Sequence, residues 1–202
     1  MTYNQAYTNI DNLLDKTGTA YFTTTEKNVF LNLAVLEYTK GLINTLESDA
    51  QSMEKIAPLV VISSSLSQSL GVITFPTALP VYHILRAYTA VNNYNVNIMG
   101  YGEYASAKNN PYHKADSENP IGLLRSSSMD IIGNTENIIL NYITIPTGTG
   151  SGAITNPATQ TLGGYGINSG EEILNIAVRK MMLSLEDPRY QLQVNELTAD
   201  KR

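Results

Sequence analysis

Residues 23–38 read Thr23-Thr24-Thr25-Glu26-Lys27-Asn28-Val29-Phe30-Leu31-Asn32-Leu33-Ala34-Val35-Leu36-Glu37-Tyr38, and the run continues to Leu46 without a proline. Thr23 and Glu26 stand at capping-box spacing. The hydroxyl can accept from the backbone N–H three residues on, and the carboxylate can reach back. The helix that follows is apolar in two ways. Up to Tyr38, Val29, Phe30, Leu31, Leu33, Ala34, Val35, Leu36 and Tyr38 point around almost the whole circumference. Beyond it only Leu42, Ile43 and Leu46 continue, on one face. A helix apolar all round has to be covered on more than one side. One side is covered by the rest of a domain. The other needs more of this chain or a neighbouring subunit, and Leu31 and Val35 are the candidate assembly contacts on this helix.

At 202 residues the chain is one large domain or two small ones, long enough to bury a core. With 43% hydrophobic and 15% charged residues it is globular with a lightly charged surface. A net charge of −5 argues against a dedicated binder of nucleic acid or anionic membrane. The absence of cysteine excludes disulfides, thiolate zinc sites and cysteine nucleophiles, and fits a reducing cytosol. The first residues, Met1-Thr2-Tyr3-Asn4-Gln5, have neither a basic region nor an apolar run, so no signal peptide is expected. No apolar stretch approaches the roughly 18 residues of a membrane span. The 13 tyrosines and frequent asparagines suit wet contacts between proteins, though they fit a compositional bias of the genome equally well.

Outward from the long helix, residues 4–16 form a short amphipathic helix with Tyr7, Ile10, Leu13 and Leu14 on one face, stopped by Gly18. Tyr21 or Phe22 packs back on the first turn of the long helix as a hydrophobic staple. Residues 48–55 extend that helix until Pro58. The character then changes to β. Runs at 59–62 and 71–75 are strands. Residues 81–91 satisfy both periods, since Val81, Ile84, Leu85, Tyr88 and Val91 have helical spacing while Tyr82, Ile84, Arg86 and Tyr88 alternate; the context favours a strand. Tyr94, Val96 and Ile98 alternate with Asn93, Asn95 and Asn97 as a strand ending at Gly100. Residues 101–108 form a short helix and 109–120 a polar loop. Residues 121–125, 128–132 and 138–145 are strands, the last the clearest, ended by Pro146.

Residues 147–168 are low-complexity Gly, Thr, Ser, Asn and Ala. Gly148, Gly150 and Gly152 superficially echo a phosphate-binding loop, but the required lysine is missing and Pro157 stands where a helix should begin. An extended arm is the reading, anchored by Ile154, Leu162, Tyr165 and Ile167, partly across a subunit boundary. Asn168 and Glu171 have capping-box spacing before a helix with Ile173, Leu174, Ala177, Val178, Met181 and Leu185 on one stripe. Asp187-Pro188 opens a final helix carrying Tyr190, Val194 and Leu197. The fold class expected is α+β: N- and C-terminal helices form a helical base with a β-rich insert and extended loops. The segments are a helical 1–57, a β-rich 58–146 with a projecting loop at 101–120, an extended arm at 147–168 and helices at 169–202, together one composite domain.

Chemistry is scarce. His83 lies in an apolar run and His113 in a polar loop, without the partners a metal site needs. The serine triplets 63–65 and 126–128 lack a nucleophile-elbow pattern. Glu171-Glu172 and Glu186-Asp187 sit at a helix start and a helix end as dipole and capping residues. The expectation is no catalytic residue, no cofactor and no metal.

The middle of the chain carries a resemblance. Its landmarks are Asn110-Pro111-Tyr112-His113-Lys114, Asn119-Pro120-Ile121, Ile131 on one strand and Leu140-Asn141-Tyr142-Ile143-Thr144-Ile145-Pro146 on the next. Tyr21-Phe22-Thr23, Leu31-Asn32-Leu33-Ala34 and Leu79-Pro80 stand upstream, and Glu171-Glu172-Ile173 downstream. In this order the chain resembles head-to-tail connector (neck ring) proteins of tailed bacteriophages, most of all those of short-tailed, crAss-like phages. It departs from them in Val81, where relatives carry an acidic residue, and in Thr144-Ile145, where they carry basic ones. The resemblance implies a structural virion protein, assembled in the bacterial host cytoplasm. It implies a homo-oligomeric ring of twelve copies between the portal protein and adjacent tail or neck proteins, with DNA passing unread through its channel and no membrane contact. Asn110, Pro111, Tyr112 and Tyr165 then join Leu31 and Val35 as assembly contacts. Two other classes stay open: a non-enzymatic protein-binding module using the Asn110-Pro111-Tyr112 loop, and an enzyme with a site the sequence does not display.

Overall fold

The computed structural model describes residues 1–14, 22–46, 49–77, 80–109, 115–146, 157–165 and 167–184. Within these the fold is mixed α+β. The chain divides into two compact units, one made of Met1–Leu59 with Pro146–Arg202, the other of Val60–Ile145.

In the first unit, α1 (Tyr3–Leu13) opens on a capping box, in which Thr2 Oγ1 accepts from the Gln5 N–H and Gln5 Oε1 accepts from the Thr2 N–H. Its buried residues are Tyr3, Ala6 and Ile10, followed by Leu14 at the C-cap. Of the expected face, Ile10 and Leu14 are buried and Tyr7 is half-buried, while Leu13 is half exposed; Tyr3 and Ala6 carry the buried face on toward the N-terminus. The strip 157–165 runs beside the first residues, with Tyr3 N–H donating to Gln160 O and Leu162 N–H to Met1 O, so that face is the one covered.

Helix α2 (Thr24–Thr45) has the predicted capping box, with Thr23 accepting from the Glu26 N–H and the Glu26 carboxylate taking the Thr23 N–H at 2.8 Å. Phe22 packs edge-on against Phe30, ring centroids 5.4 Å apart, so the staple reaches a full turn deeper than the usual fourth position. The extension through 48–55 does not occur. Asp49 caps a new helix, α3 (Ala50–Ile56), by accepting from the Gln51 N–H, and Pro58 lies in the 3-10 turn Ala57–Leu59 that follows. Helix α5 (Ile167–Ser184) begins slightly before the expected cap at Asn168, and its Ile173, Leu174, Ala177, Val178 and Met181 are buried as the stripe requires. Ion pairs tie the helices: Lys27, itself buried, to Asp11 at 2.7 Å, Lys55 to Glu172 at 2.7 Å and Lys180 to Glu37 at 2.5 Å. Gly18 and the final helix from Asp187 fall outside the described residues.

The second unit is two sheets and a helix. Strands β1 (Val60–Ile62), β7 (Ile138–Thr144) and β3 (Val81–Thr89) form an antiparallel sheet in the order β1-β7-β3. Strands β2 (Val72–Thr74), β6 (Ser128–Ile132), β5 (Ile121–Leu124) and β4 (Asn97–Met99) form the other, in the order β2-β6-β5-β4, with β4 and β5 parallel. The two sheets enclose Ile73, Ala87, Val96, Met129, Ile131, Ile138, Leu140 and Tyr142. The ambiguity of 81–91 has a structural origin. Bulges between Val81 and His83 and between Ile84 and Arg86 skip residues, so Val81, Ile84 and Ala87 reach the core at a spacing that imitates a helix. The predicted strand 94–98 is shared. Asn95 bridges to Tyr88 and Val96 N–H donates to Ala87 O, whereas β4 begins at Asn97 and pairs with β5. The chain changes sheets there.

Helix α4 (Tyr101–Asn109) lies on the far face of the second sheet, where Tyr104 and Ala107 bury Ile121 and Leu123. The expectation that 101–120 projects as a loop is thus corrected for its first half, which builds a small core. Gly122 on β5 faces the other way, into the space between the sheets, where a Cβ would stand 2.9 Å from Met129 Sδ and 3.0 Å from Val96 Cγ1. We expect Gly122→Val to cost about 1–3 kcal/mol by overpacking. Chemical denaturation checks this through a lower midpoint, and an unchanged midpoint would mean that Met129 moves aside freely.

Candidate assembly surface

Helix α2 is buried along Leu31, Ala34, Val35, Tyr38 and Leu42, which face α5 and the strip 157–165. The strip is held closely. Gly163, at φ +61°, leaves room for Val35, whose Cγ1 would lie 2.5 Å from any Cβ there. Leu162 and Tyr165 are fully buried. The Tyr165 ring meets Tyr38 edge-on at 5.3 Å, and its hydroxyl lies 2.6 Å from Thr39 Oγ1. Thr39 in turn donates to Val35 O at 2.7 Å.

This places the expected assembly contacts. Leu31, Val35 and Tyr165 sit at 0–1% exposure inside the unit, and the first two are core residues rather than surface contacts. Tyr165 and Leu162 anchor the strip within their own unit, not across a subunit boundary. Asn110, Pro111, Tyr112 and Ile154 lie outside the described residues. What remains outward on α2 is another stripe. Val29 is 53% exposed and Leu33 48%, and Leu36 and Ile43 are half-buried. Their spacing of four, three and seven residues keeps them on one face. Full burial of a Val or Leu side chain is worth about 1.5–3 kcal/mol, so a stripe this exposed holds a few kcal/mol in reserve. The sequence contained this spacing. The inner residues, apolar as well, masked it.

Two further exposed features stand on the second unit. Leu124 and Tyr101 are exposed near Arg125, which binds Asp130 in a two-point ion pair, Nε to Oδ1 at 2.8 Å. That guanidinium holds the Asp130 carboxyl below the usual carboxylate pKa. The other is Leu70. Ser69 and Val72 exchange backbone hydrogen bonds at 2.9 and 3.0 Å around Leu70 (φ +52°) and Gly71 (φ +77°). Positive φ at both central residues makes a type I′ turn, which favours Asn-Gly or Gly-Gly. A leucine in the left-handed region costs about 1–2 kcal/mol. Leu70-Gly71 lacks the Asn-Gly or Asp-Gly signature of such a turn, so the sequence shows only a strand from Gly71.

Among the described residues no group of three or more His, Cys, Asp or Glu could hold a metal. His83 is exposed on β3, and Ser63 is engaged structurally, its Oγ accepting from the Leu140 N–H at 2.9 Å. Among the described residues no helix is long and apolar enough to cross a membrane. No protein-family profile matches the chain, and no curated protein is significantly similar to it.

Proposed function

We propose that this chain is a structural protein of a tailed-phage virion, one ring of the connector that joins the portal to the tail and lines the DNA channel. In this reading the helices form a base that carries the β-rich segment as an insert. Copies assemble in the host cytoplasm into a closed ring, twelve-fold like the portal, contacting the portal protein and the adjacent neck or tail proteins. The protein has no catalytic role and needs no cofactor.

One observation carries the reading. The long helix α2 buries one apolar face inside its own unit and presents a second, Val29-Leu33-Leu36-Ile43, outward. A subunit of a closed ring is covered on two flanks by a head-to-tail contact, and a core helix with an apolar back supplies one of those flanks. The net charge of −5 fits the channel, since an acidic lumen does not trap phosphate. Native mass spectrometry of the purified 22.1 kDa chain, alongside analysis of particles, tests it. The expected result is a closed multi-copy ring or recovery only within virions. A stable monomer absent from particles overturns the proposal.

A further inference from the structure

Strand β1 is an open edge. The sheet order β1-β7-β3 leaves its far side without a neighbour, and β1 pairs with β7 alone. The register fixes which backbone groups point that way. Ser63 N–H donates to Leu140 O at 2.8 Å, so Ser63 sits at a hydrogen-bonded position of the ladder, and Val61, two residues back, at another. Val60 and Ile62 alternate with them and turn their N–H and C=O outward. Among the described residues no hydrogen bond reaches those groups. Ile62 is 65% exposed. Open edges are ordinarily guarded by a charge, a proline or a bulge. The other edge of this sheet is guarded: β3 is bulged and carries Arg86, and residues 94–96 cover its end. Residues 60–66 read Val-Val-Ile-Ser-Ser-Ser-Leu, with neither charge nor proline. Such an edge is a template for a further strand.

We propose that β1 pairs antiparallel with β1 of a second copy, about a two-fold axis at Val61, so that two three-stranded sheets join edge to edge. In this register Val60 of each copy lies opposite Ile62 of the other. Each such pair exchanges both N–H···O bonds, because the groups that face out on one strand are those that face out on the other. The side chains match too. Val60 and Ile62 form β-branched cross-strand pairs on one face, and Val61 meets Val61 on the other, where it packs against its own core. No charge opposes a like charge, since the edge has none. The register also has a stop. Moving the axis to Val60 would set Ile62 against Pro58, which has no N–H to give. Self-complementarity is what selects a second copy, because a two-fold contact needs one patch that matches itself. The edge lies wholly in the second unit. With three residues of β1 paired on each copy the contact is weak, and pairs form at high concentration. It is separate from the α2 stripe and does not rest on the ring reading, since a two-fold contact ends at pairs.

The test uses the full chain carrying Leu33→Asp, which takes the α2 stripe out of the measurement, with sedimentation and amide hydrogen exchange read by NMR. Concentrating this chain is expected to give pairs and no larger species. The Val60 and Ile62 amides are expected to exchange fast in dilute protein and about ten-fold slower or more in the pairs. Those of Val61 and Ser63, bonded within the chain, stay slow in both. Adding Ile62→Lys, at an exposed position, is expected to leave the unfolding temperature unchanged and to weaken pairing by about ten-fold or more. Ile62→Val keeps a β-branched edge and is expected to keep the pairs. A chain that stays single at millimolar concentration overturns the contact and leaves the ring reading standing. Pairs that survive Ile62→Lys, or in which the Val60 and Ile62 amides remain fast, lie elsewhere on the surface and overturn it as well. Should Ile62→Lys lower the unfolding temperature, the exchange of those two amides in the parent chain decides alone.

Discussion

Replacing Tyr165 by alanine should destabilise the helical unit by about 3–5 kcal/mol, the cost of deleting a large buried aromatic. The side chain is 1% exposed and edge-on to Tyr38, so the space it leaves is surrounded by packed groups. The hydroxyl adds a second effect that can be separated. Thr39 gives its proton to Val35 O, so the Tyr165 O–H is the donor to Thr39 Oγ1. Tyr165→Phe removes only that donor and should cost about 0.5–1.5 kcal/mol. Urea denaturation of both variants makes the comparison. Equal, small losses would mean that the ring does not fasten the strip 157–165 to α2. The same experiment bears on the arm. If Tyr165 were an intersubunit contact, Y165A would reduce assembly without lowering the stability of dissociated chains, the reverse of what its burial implies.

Two neighbouring leucines on α2 should behave oppositely when made acidic. Leu31→Asp places a carboxylate in a site with no exposure, one turn from Lys27, whose charge is already paired with Asp11, and we expect several kcal/mol of destabilisation, enough to unfold a marginal domain. Leu33→Asp places the same group on the half-exposed stripe, and its effect on folding should stay within about 0.5 kcal/mol, as for other surface substitutions. Assembly is where Leu33→Asp is expected to act. Burying an uncompensated carboxylate in a subunit contact costs far more than the leucine contributed, so rings should fail to form from well-folded chains. Circular dichroism melting with native mass spectrometry distinguishes the two. Rings of undiminished size from Leu33→Asp would remove the α2 stripe as a subunit contact.

The sequence by itself determined the features that depend on near neighbours. The Thr23–Glu26 capping box, strand β7 with its proline stop and the buried stripe of α5 all follow from residues within a few positions of one another. Local hydrogen bonding and local periodicity need no knowledge of the rest of the chain. Tertiary structure decided which face of α2 is the inner one. A helix apolar all round has no preferred direction, and the groups that choose one, Leu162, Tyr165 and the face of α5, come from the other end of the chain. That is why Leu31 and Val35 read as surface contacts and fold as core, and why Val29 and Leu33 emerge as the exposed pair. The same holds for 94–98, which two sheets share. Leu70 is the extreme case. Its letters are an ordinary Leu-Gly, and only the closed hydrogen-bond pair between Ser69 and Val72 forces the leucine into left-handed backbone and out into solvent.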